Sequence, residues 1–215
     1  MAKRFGPDDL TDLPADVTVS PPELLARSFI AFERYPLTLR SPGREPATYG
    51  RDMLRVGMVV AALPFDPVRD EVVLMRQFRL GSHLSTGRGE MIEIVAGLVE
   101  RDEDTATAAA RECLEEIGAA PSQVIELLTF MPAPGFTDEY ATLYLAIVDA
   151  DTVPERAGLD VEQEQTIPMR FSVDEAIAAI SSGRLTNGYL LHALNWLALN
   201  RHRLKAIVAN GSVRV

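Results

Sequence analysis

The sequence predicts an α/β protein, a sandwich of helices around a mixed β-sheet with a small additional N-terminal β segment. Short apolar runs of strand length alternate with helical segments, but without the strict strand–helix–strand rhythm of a doubly wound fold. The 215 residues are 47% hydrophobic, which suits a folded domain with a substantial core. Because large apolar residues are sparse near the N-terminus, we divide the chain into an N-terminal segment of residues 1–54 and a main domain of residues 55–215.

Composition excludes several functional classes. The net charge of −10 disfavours nucleic acids and anionic membranes as partners, because both bind basic surfaces. The single Cys113 cannot form an internal disulfide or a Cys-rich zinc site, and the three histidines are widely scattered. The longest apolar run, residues 56–65, is too short to cross a bilayer. We therefore expect a cytoplasmic protein.

The N-terminal segment is predicted to form two strands, residues 28–40 and 47–54, joined by a Pro-Gly turn at residues 41–43. Residues 1–20 are polar and contain prolines, so we expect an irregular arm there. A segment with so few large apolar groups cannot close its own core. It must pack on the main domain or on a second copy of the chain.

The main domain begins with residues 56–63, an apolar run typical of a strand buried on both faces. A turn at residues 65–70 leads into a return strand at residues 71–78. The next residues, 81–89, are expected to form a loop. The elements that follow are, in chain order, a strand at residues 91–95, a helix at 105–117, strands at 124–130 and 140–148, an acidic loop at 149–165 and a strand at 166–171.

Capping residues mark the predicted helices. Asp104 is a candidate N-cap of helix 105–117, and Gly118 is suited to the left-handed position that ends it. Residues 172–175 read Ser-Val-Asp-Glu, a capping box that opens a helix ending near Gly183. Asn187 is expected to cap a last, largely buried helix that extends to about Lys205.

Three carboxylates cluster on one helix. At ~100° per residue, Glu112, Glu115 and Glu116 fall within an arc of about 100°. Like charges at this spacing destabilise a helix by a few tenths of a kcal/mol per pair, so a bound cation would explain their presence. Oxygen ligands suit the hard cations Mg²⁺ or Mn²⁺. A solvated helix face is the structural alternative for such a pattern taken by itself.

The spacing around these carboxylates is far more specific. Residues 97–118 satisfy G-x5-E-x7-R-E-x-x-E-E-x-G, with Gly97 first, Arg111 in the middle and Gly118 last. At roughly 7% usage per residue type, seven fixed positions coincide by chance once in 10⁸ windows. This pattern resembles the Nudix box of the Nudix hydrolase superfamily. The resemblance implies a Nudix-type α/β/α sandwich that cleaves a pyrophosphate bond.

The resemblance also implies roles for individual residues. Two or three Mg²⁺ ions, or Mn²⁺, would be held by the Ala96 carbonyl together with Glu112, Glu115 and Glu116. The same three glutamates would count as catalytic. An ion pair between Glu103 and Arg111 would pin the loop to the helix. Cys113 is interpreted as a packing residue because it stands where the family carries an aliphatic side chain.

Other segments are similar to the ADP-ribose pyrophosphatase branch of the superfamily. They are residues 63–70, 77–79, 93–97, 134–139, 183–187 and 193–197. This resemblance implies hydrolysis of ADP-ribose to AMP and ribose 5-phosphate. The residues it places against substrate are Phe29, Arg51, Arg79, Leu98 and Glu139. Ala133 and Val56 depart from the branch pattern, at positions where polar residues are common.

The same resemblance places the general base in the acidic loop. Glu162 is the predicted base and Glu164 a further metal ligand, because residues two apart in extended backbone point the same way. Asp160 is a rival for the base. Related proteins are homodimers that exchange N-terminal strands, which would bring Phe29 and Arg51 into the partner's site.

Two other functions remain open. One is hydrolysis of a different nucleoside diphosphate sugar, such as GDP-mannose. The other is a non-catalytic Nudix domain that senses a nucleotide, which the intact Glu112, Glu115 and Glu116 disfavour.

Overall fold

The computed structural model describes residues 4–159 and 164–213. The chain divides into two compact units. One consists of residues 1–55 and 135–138, and the other of residues 56–134 and 139–215.

The first unit is a four-stranded antiparallel sheet. Its strands are β1 (Asp16–Val19), β2 (Glu23–Arg27), β3 (Ala31–Arg40) and β4 (Ala47–Arg55). Strand β3 pairs with each of the other three. A short 3₁₀ turn, Pro7–Asp9, precedes the sheet. In these four strands no residue is buried, which agrees with the inference that this segment has no core of its own.

Two of these strands were not predicted. Residues 1–20 were expected to be irregular, yet β1 lies at Asp16–Val19, and β2 was missed altogether. Both strands are short and exposed, so neither shows the alternation of buried and exposed residues that marks a strand in sequence. Their hydrogen bonds to β3 hold them in place.

The second unit contains a seven-stranded mixed sheet. Its strands are β5 (Met58–Asp66), β6 (Glu71–Phe78), β7 (Glu90–Glu93), β8 (Val95–Leu98), β9 (Gln123–Phe130), β10 (Tyr140–Ile147) and β11 (Ile167–Ser172). The main path runs β11-β6-β5-β10-β9, with β7 beside β6 and β8 beside β5. Strands β5 and β10 are parallel and the other pairs are antiparallel.

Helices cover both faces of this sheet. They are α1 (Leu80–Thr86), α2 (Thr105–Ile117), α3 (Val173–Ala179), α4 (Gly188–Asn200) and α5 (Leu204–Asn210). On one face, Val60 and Ala62 of β5 pack with Cys113 of α2. On the other, Ala61 and Leu63 pack with α3, α4 and α5. The predicted mixed-sheet α/β sandwich is confirmed, and none of the described helices is long and apolar enough to cross a membrane.

The capping residues identified in the sequence predicted these helix ends correctly. The Asp104 carboxylate accepts hydrogen bonds from the backbone N–H groups of Ala106 and Thr107, at 3.0 Å each, and so caps α2. Gly118 ends α2 with φ = 68°, a left-handed conformation that favours glycine. The predicted capping box of Ser172 and Glu175 is also present.

Three boundaries differ from expectation. Residues 81–89 were predicted as a loop, but α1 occupies most of them and ends where the Gly87 N–H bonds to the His83 carbonyl. The strand expected at residues 91–95 is two strands, β7 and β8, interrupted at Ile94. The last predicted helix is broken by a 3₁₀ turn at Arg201–Arg203. The composition of α1, with Gly81, Ser82, Ser85 and Thr86, favours a loop over a helix and explains why this helix was missed.

The buried carboxylate of Asp66 anchors the turn between β5 and β6. Asp66 is 1% exposed and accepts backbone N–H groups from Val68, Arg69 and Ala150 at 2.8, 3.0 and 3.0 Å. Arg69 Nη1 also donates to it, at 3.0 Å. Burial opposes the charged form, but these hydrogen bonds outweigh it and the pKa of Asp66 is lowered. This carboxylate therefore stabilises the fold when it is ionised.

We expect Asp66→Asn to lower the free energy of unfolding by about 3 kcal/mol near neutral pH, because it removes charge-assisted hydrogen bonds in a buried site. Since the folded-state pKa is depressed, this stabilisation is complete above the unfolded pKa and is lost as pH falls through the folded value. Urea unfolding at pH 6 and pH 3 should show that the difference in the free energy of unfolding between wild type and variant is smaller at pH 3.

The control for this experiment is Asp174→Asn. Its side chain is 83% exposed and faces Arg201 at 3.4 Å, so the change should cost less than about 0.5 kcal/mol. Equal losses in the two variants would contradict the anchoring role of Asp66.

Candidate active site

The carboxylate of Glu112 lies directly against the backbone of Gly97. A Cβ built on Gly97 would lie only 2.0 to 2.5 Å from the Glu112 carboxyl atoms, closer than any real side chain could come. A side chain at position 97 would therefore displace the Glu112 carboxylate from this place. The first glycine of the predicted box thus makes room for a carboxylate.

Glu116 is more deeply placed. It is 1% exposed, and its Oε2 accepts the backbone N–H of Ala96 at 2.8 Å. Burial raises the pKa of Glu116, and the charges of Glu164 and Glu112 raise it further, although the Ala96 bond and Arg79 oppose this. The site therefore concentrates negative charge where water cannot disperse it.

Arg111 is the main counter-ion on this side of the site. Its Nη1 donates to Glu112 Oε1 and Glu115 Oε2, both at 2.8 Å, and its Nε and Nη2 each donate to Glu103 at 3.0 Å. Nη2 also reaches the Leu98 carbonyl at 3.1 Å. The Glu103–Arg111 pair expected from the box is thus present, and it is one part of a wider network that ties the loop after β8 to α2.

The donor set fits a hard divalent cation. Burial raises the pKa of Glu112 and of Glu116, and the nearby charge of Glu164 raises both further, a repulsion that a cation would relieve. Within the described ranges, no three acidic, histidine or cysteine side chains already converge as a finished ligand set. The assignment of Ala96, Glu112, Glu115, Glu116 and Glu164 as metal ligands therefore stays a prediction.

A cavity of about 290 Å³ opens beside these carboxylates. It brings together three of the predicted substrate residues, Arg79, Leu98 and Glu139. Ala96 and Gly97 form part of its wall, next to Glu116 and Glu112. The cavity therefore joins the carboxylate cluster to groups that could bind a small polar molecule.

Three further polar residues line the same cavity and were not predicted as part of the site: Glu93, Asn187 and Tyr189. Glu93 is the one carboxylate within residues 91–98, an otherwise apolar run, and a buried charge of this kind needs a partner. That signal could have identified it. The sequence indicated Asn187 only as a helix cap, and nothing in it singled out Tyr189.

Two predicted substrate residues belong to the first unit and do not line this cavity. Phe29 is 84% exposed there, and the Arg51 guanidinium lies 4.7 Å from the centre of the Tyr49 ring. The predicted base Glu162 and its rival Asp160 lie outside the described residues. Of the acidic loop's candidates Glu164 is described, and its Oε1 accepts a hydrogen bond from Gln77 Nε2 at 3.3 Å.

Comparison with known proteins identifies the class. The NUDIX domain family matches residues 55–194, so the chain belongs to the Nudix family, as the box predicted. A crystal structure of an ADP compounds hydrolase has the same fold, with a TM-score of 0.69 at 20% identity over 91% of this chain and 98% of that one.

Relatives refine the comparison within this family. The ADP-ribose pyrophosphatase of Escherichia coli (strain K12) is 32% identical over 88% of this chain and 91% of its own length. That of Haemophilus influenzae is 29% identical over 76% of each chain. The GDP-mannose pyrophosphatase of Citrobacter koseri is 25% identical over 84% of this chain and 94% of its own. The predicted resemblance to the ADP-ribose pyrophosphatase branch is confirmed.

We expect Glu116→Gln to raise the free energy of unfolding by about 1 kcal/mol when divalent cations are absent. Glutamine can still accept the Ala96 N–H, and it removes one buried charge from a repelling cluster. Wild type should gain thermal stability when Mg²⁺ is added, because a ligand that binds only the folded state stabilises it, and the variant should gain much less.

Thermal unfolding with EDTA and with Mg²⁺ tests both effects. Glu126→Gln, at an exposed position on β9, is the control. It should change neither the stability in EDTA nor the gain in stability with Mg²⁺. A Glu116→Gln variant that is destabilised in EDTA and still responds fully to Mg²⁺ would argue against a cation site here.

Proposed function

We propose that this protein hydrolyses ADP-ribose to AMP and ribose 5-phosphate. The observation that carries the proposal is the cavity lined by Arg79 and Glu139, whose wall at Ala96 and Gly97 adjoins the buried carboxylates Glu116 and Glu112 of the Nudix box. The family membership and the named activity of the relatives at 32% and 29% identity support the same substrate.

Each side of the cavity has a chemical task. Arg79 would bind the diphosphate, and Glu139 would accept hydrogen bonds from hydroxyls of the terminal ribose. Leu98 would pack against the substrate. Burial lowers the pKa of Arg79, but Glu93 outweighs burial, so the net pKa is raised and the guanidinium stays charged for an anion.

Divalent cations would be held by Glu112, Glu115, Glu116 and Glu164, with the Ala96 carbonyl. When bound, they supply charge neutralisation to the diphosphate and Lewis-acid polarisation of its oxygens. Glu162 would accept a proton from the attacking water. The water oxygen joins one phosphorus, the bridging P–O bond breaks, and the two phosphate products separate.

We also propose Mg²⁺ as the metal, at two or three ions per site, with Mn²⁺ as the alternative. The cytoplasm remains the predicted location. A homodimer with exchanged N-terminal segments would bring Phe29 and Arg51 into the partner's site. The exposure of Phe29 and the lack of buried residues in β1–β4 support a further protein surface against this segment.

A turnover screen of nucleoside diphosphate sugars with Mg²⁺ tests the substrate. ADP-ribose should have the highest kcat/KM, with AMP and ribose 5-phosphate as the products. GDP-mannose is the competing candidate, because more distant relatives are named for it. A kcat/KM for GDP-mannose tenfold or more above that for ADP-ribose would reverse the assignment.

We expect Glu162→Gln to lower kcat by about 10²–10⁴-fold, because it removes the group that accepts the proton of the attacking water. The neutral isostere preserves shape, so KM should change little. Asp160→Asn is the matched control and should retain kcat within about twofold. The opposite pattern, a large loss in Asp160→Asn alone, would make Asp160 the base.

A further inference from the structure

We propose that the first turn of helix α4 sets substrate affinity by holding two binding residues on the walls of the cavity. Asn187 fixes Arg79 through Glu93, and Tyr189 fixes Glu139. These are positioning residues, since they act through Arg79 and Glu139. The proposal rests on the function proposed above, because it assigns those two side chains to the substrate.

The first link is the Glu93 carboxylate, which is 4% exposed and has both oxygens occupied. Its Oε2 accepts a hydrogen bond from Arg79 Nε at 2.9 Å and lies 2.8 Å from Arg79 Nη2 in an ion pair. Its Oε1 accepts Asn187 Nδ2 at 2.9 Å. Because both oxygens are engaged, Glu93 cannot rotate without losing a hydrogen bond in a buried site. Among the described residues these contacts use Arg79 Nε and Nη2, which leaves Nη1 for an anion.

Asn187 is fixed by its second role. Its Oδ1 accepts the backbone N–H of Leu190 at 2.8 Å and caps α4, while its Nδ2 donates to Glu93. The cap requires the amide oxygen to face the helix, so the amide nitrogen must face Glu93. One side chain thus joins the start of α4 to the guanidinium of Arg79.

Tyr189 supplies the second link. Its hydroxyl donates a hydrogen bond to Glu139 Oε1. Its ring packs edge-on against Phe130, with 5.2 Å between ring centroids, which fixes the hydroxyl. Burial and the Glu139 bond both raise the pKa of Tyr189, so it remains a neutral donor at physiological pH.

Together these contacts hold Arg79 and Glu139 in place before substrate arrives. A side chain that is already ordered loses less conformational freedom when substrate binds. A variant in which Arg79 or Glu139 is less ordered should therefore bind substrate more weakly. The expected signature is a raised KM and a weaker Kd, because the two links end on Arg79 and Glu139. Any change in kcat should be smaller and should come from the charge of Arg79, which acts on Glu116 of the Nudix box.

Asn187→Ser is the key variant, because serine caps a helix as well as asparagine does but is too short to reach Glu93. We expect the melting temperature to stay within about 2 °C of wild type and the KM for ADP-ribose to rise about tenfold. Isothermal titration of ADP-ribose in EDTA should show a comparable loss of affinity. Ser172→Ala, which removes the cap of α3, should lower the melting temperature without changing KM.

Combined variants test whether Asn187 acts on Arg79 through Glu93. Glu93→Gln should raise KM by itself, and adding Asn187→Ser should raise it no further, because both act on Arg79 through the same carboxylate. Tyr189→Phe acts through Glu139, so its effect should multiply with that of Asn187→Ser. A KM for Asn187→Ser within twofold of wild type, or a full additional effect in the Glu93→Gln background, would overturn the proposal.

Failure of the proposed function has a different signature. It would appear in the wild-type protein as turnover of another nucleoside diphosphate sugar in preference to ADP-ribose. The same variants would then be measured with the preferred sugar. If Asn187→Ser bound that preferred sugar as tightly as wild type does, the positioning role of Asn187 would be overturned.

Discussion

The close contact between α2 and the backbone at residues 96 and 97 is the constraint on which the rest of the site depends. It places the carboxylates of Glu112 and Glu116 out of water, where the charged form is costly. Gly97 has no side chain to obstruct Glu112, and the Ala96 N–H bonds to Glu116. The helix that carries the charges is itself secured by its Asp104 cap and by the packing of Cys113 in the core. Local order and core packing thus maintain a cluster that electrostatics alone would disperse.

Two arginines compensate this charge in different ways. Arg111 uses Nε, Nη1 and Nη2 within the loop and helix of the box, on Glu103, Glu112, Glu115 and the Leu98 carbonyl. It therefore stabilises the apo arrangement and has little left to offer a ligand. Arg79 faces the cavity and is held through Nε and Nη2 by a single carboxylate, Glu93. Its remaining donors make it the arginine suited to an incoming diphosphate.

The features that the sequence predicted correctly are those that depend on residues close together in the chain. Asp104 and Gly118 predict the two ends of α2. The continuous apolar run of β5 predicts that both of its faces are buried. Helix geometry predicts that the three glutamates share one face of α2. The links that the sequence could not show join distant positions: Glu93 with Asn187, and Glu139 with Tyr189. Helix α1 was missed because its composition favours a loop. The residues of the acidic loop expected to supply the base, Asp160 and Glu162, lie outside the described chain.

This division between local and distant contacts separates hydrolysis from recognition. The carboxylates of the Nudix box occupy one helix, and their geometry depends on contacts within residues 96–116. Arg79 and Glu139 are held instead by the start of α4, through Asn187 and Tyr189. Under the proposed function, a change at α4 would therefore alter which nucleoside diphosphate sugar fits while leaving the residues of the carboxylate cluster unchanged. Relatives named for ADP-ribose and for GDP-mannose both match this chain over more than three-quarters of its length. Arg79 is the point where the two parts meet, because its charge also opposes the raised pKa of Glu116.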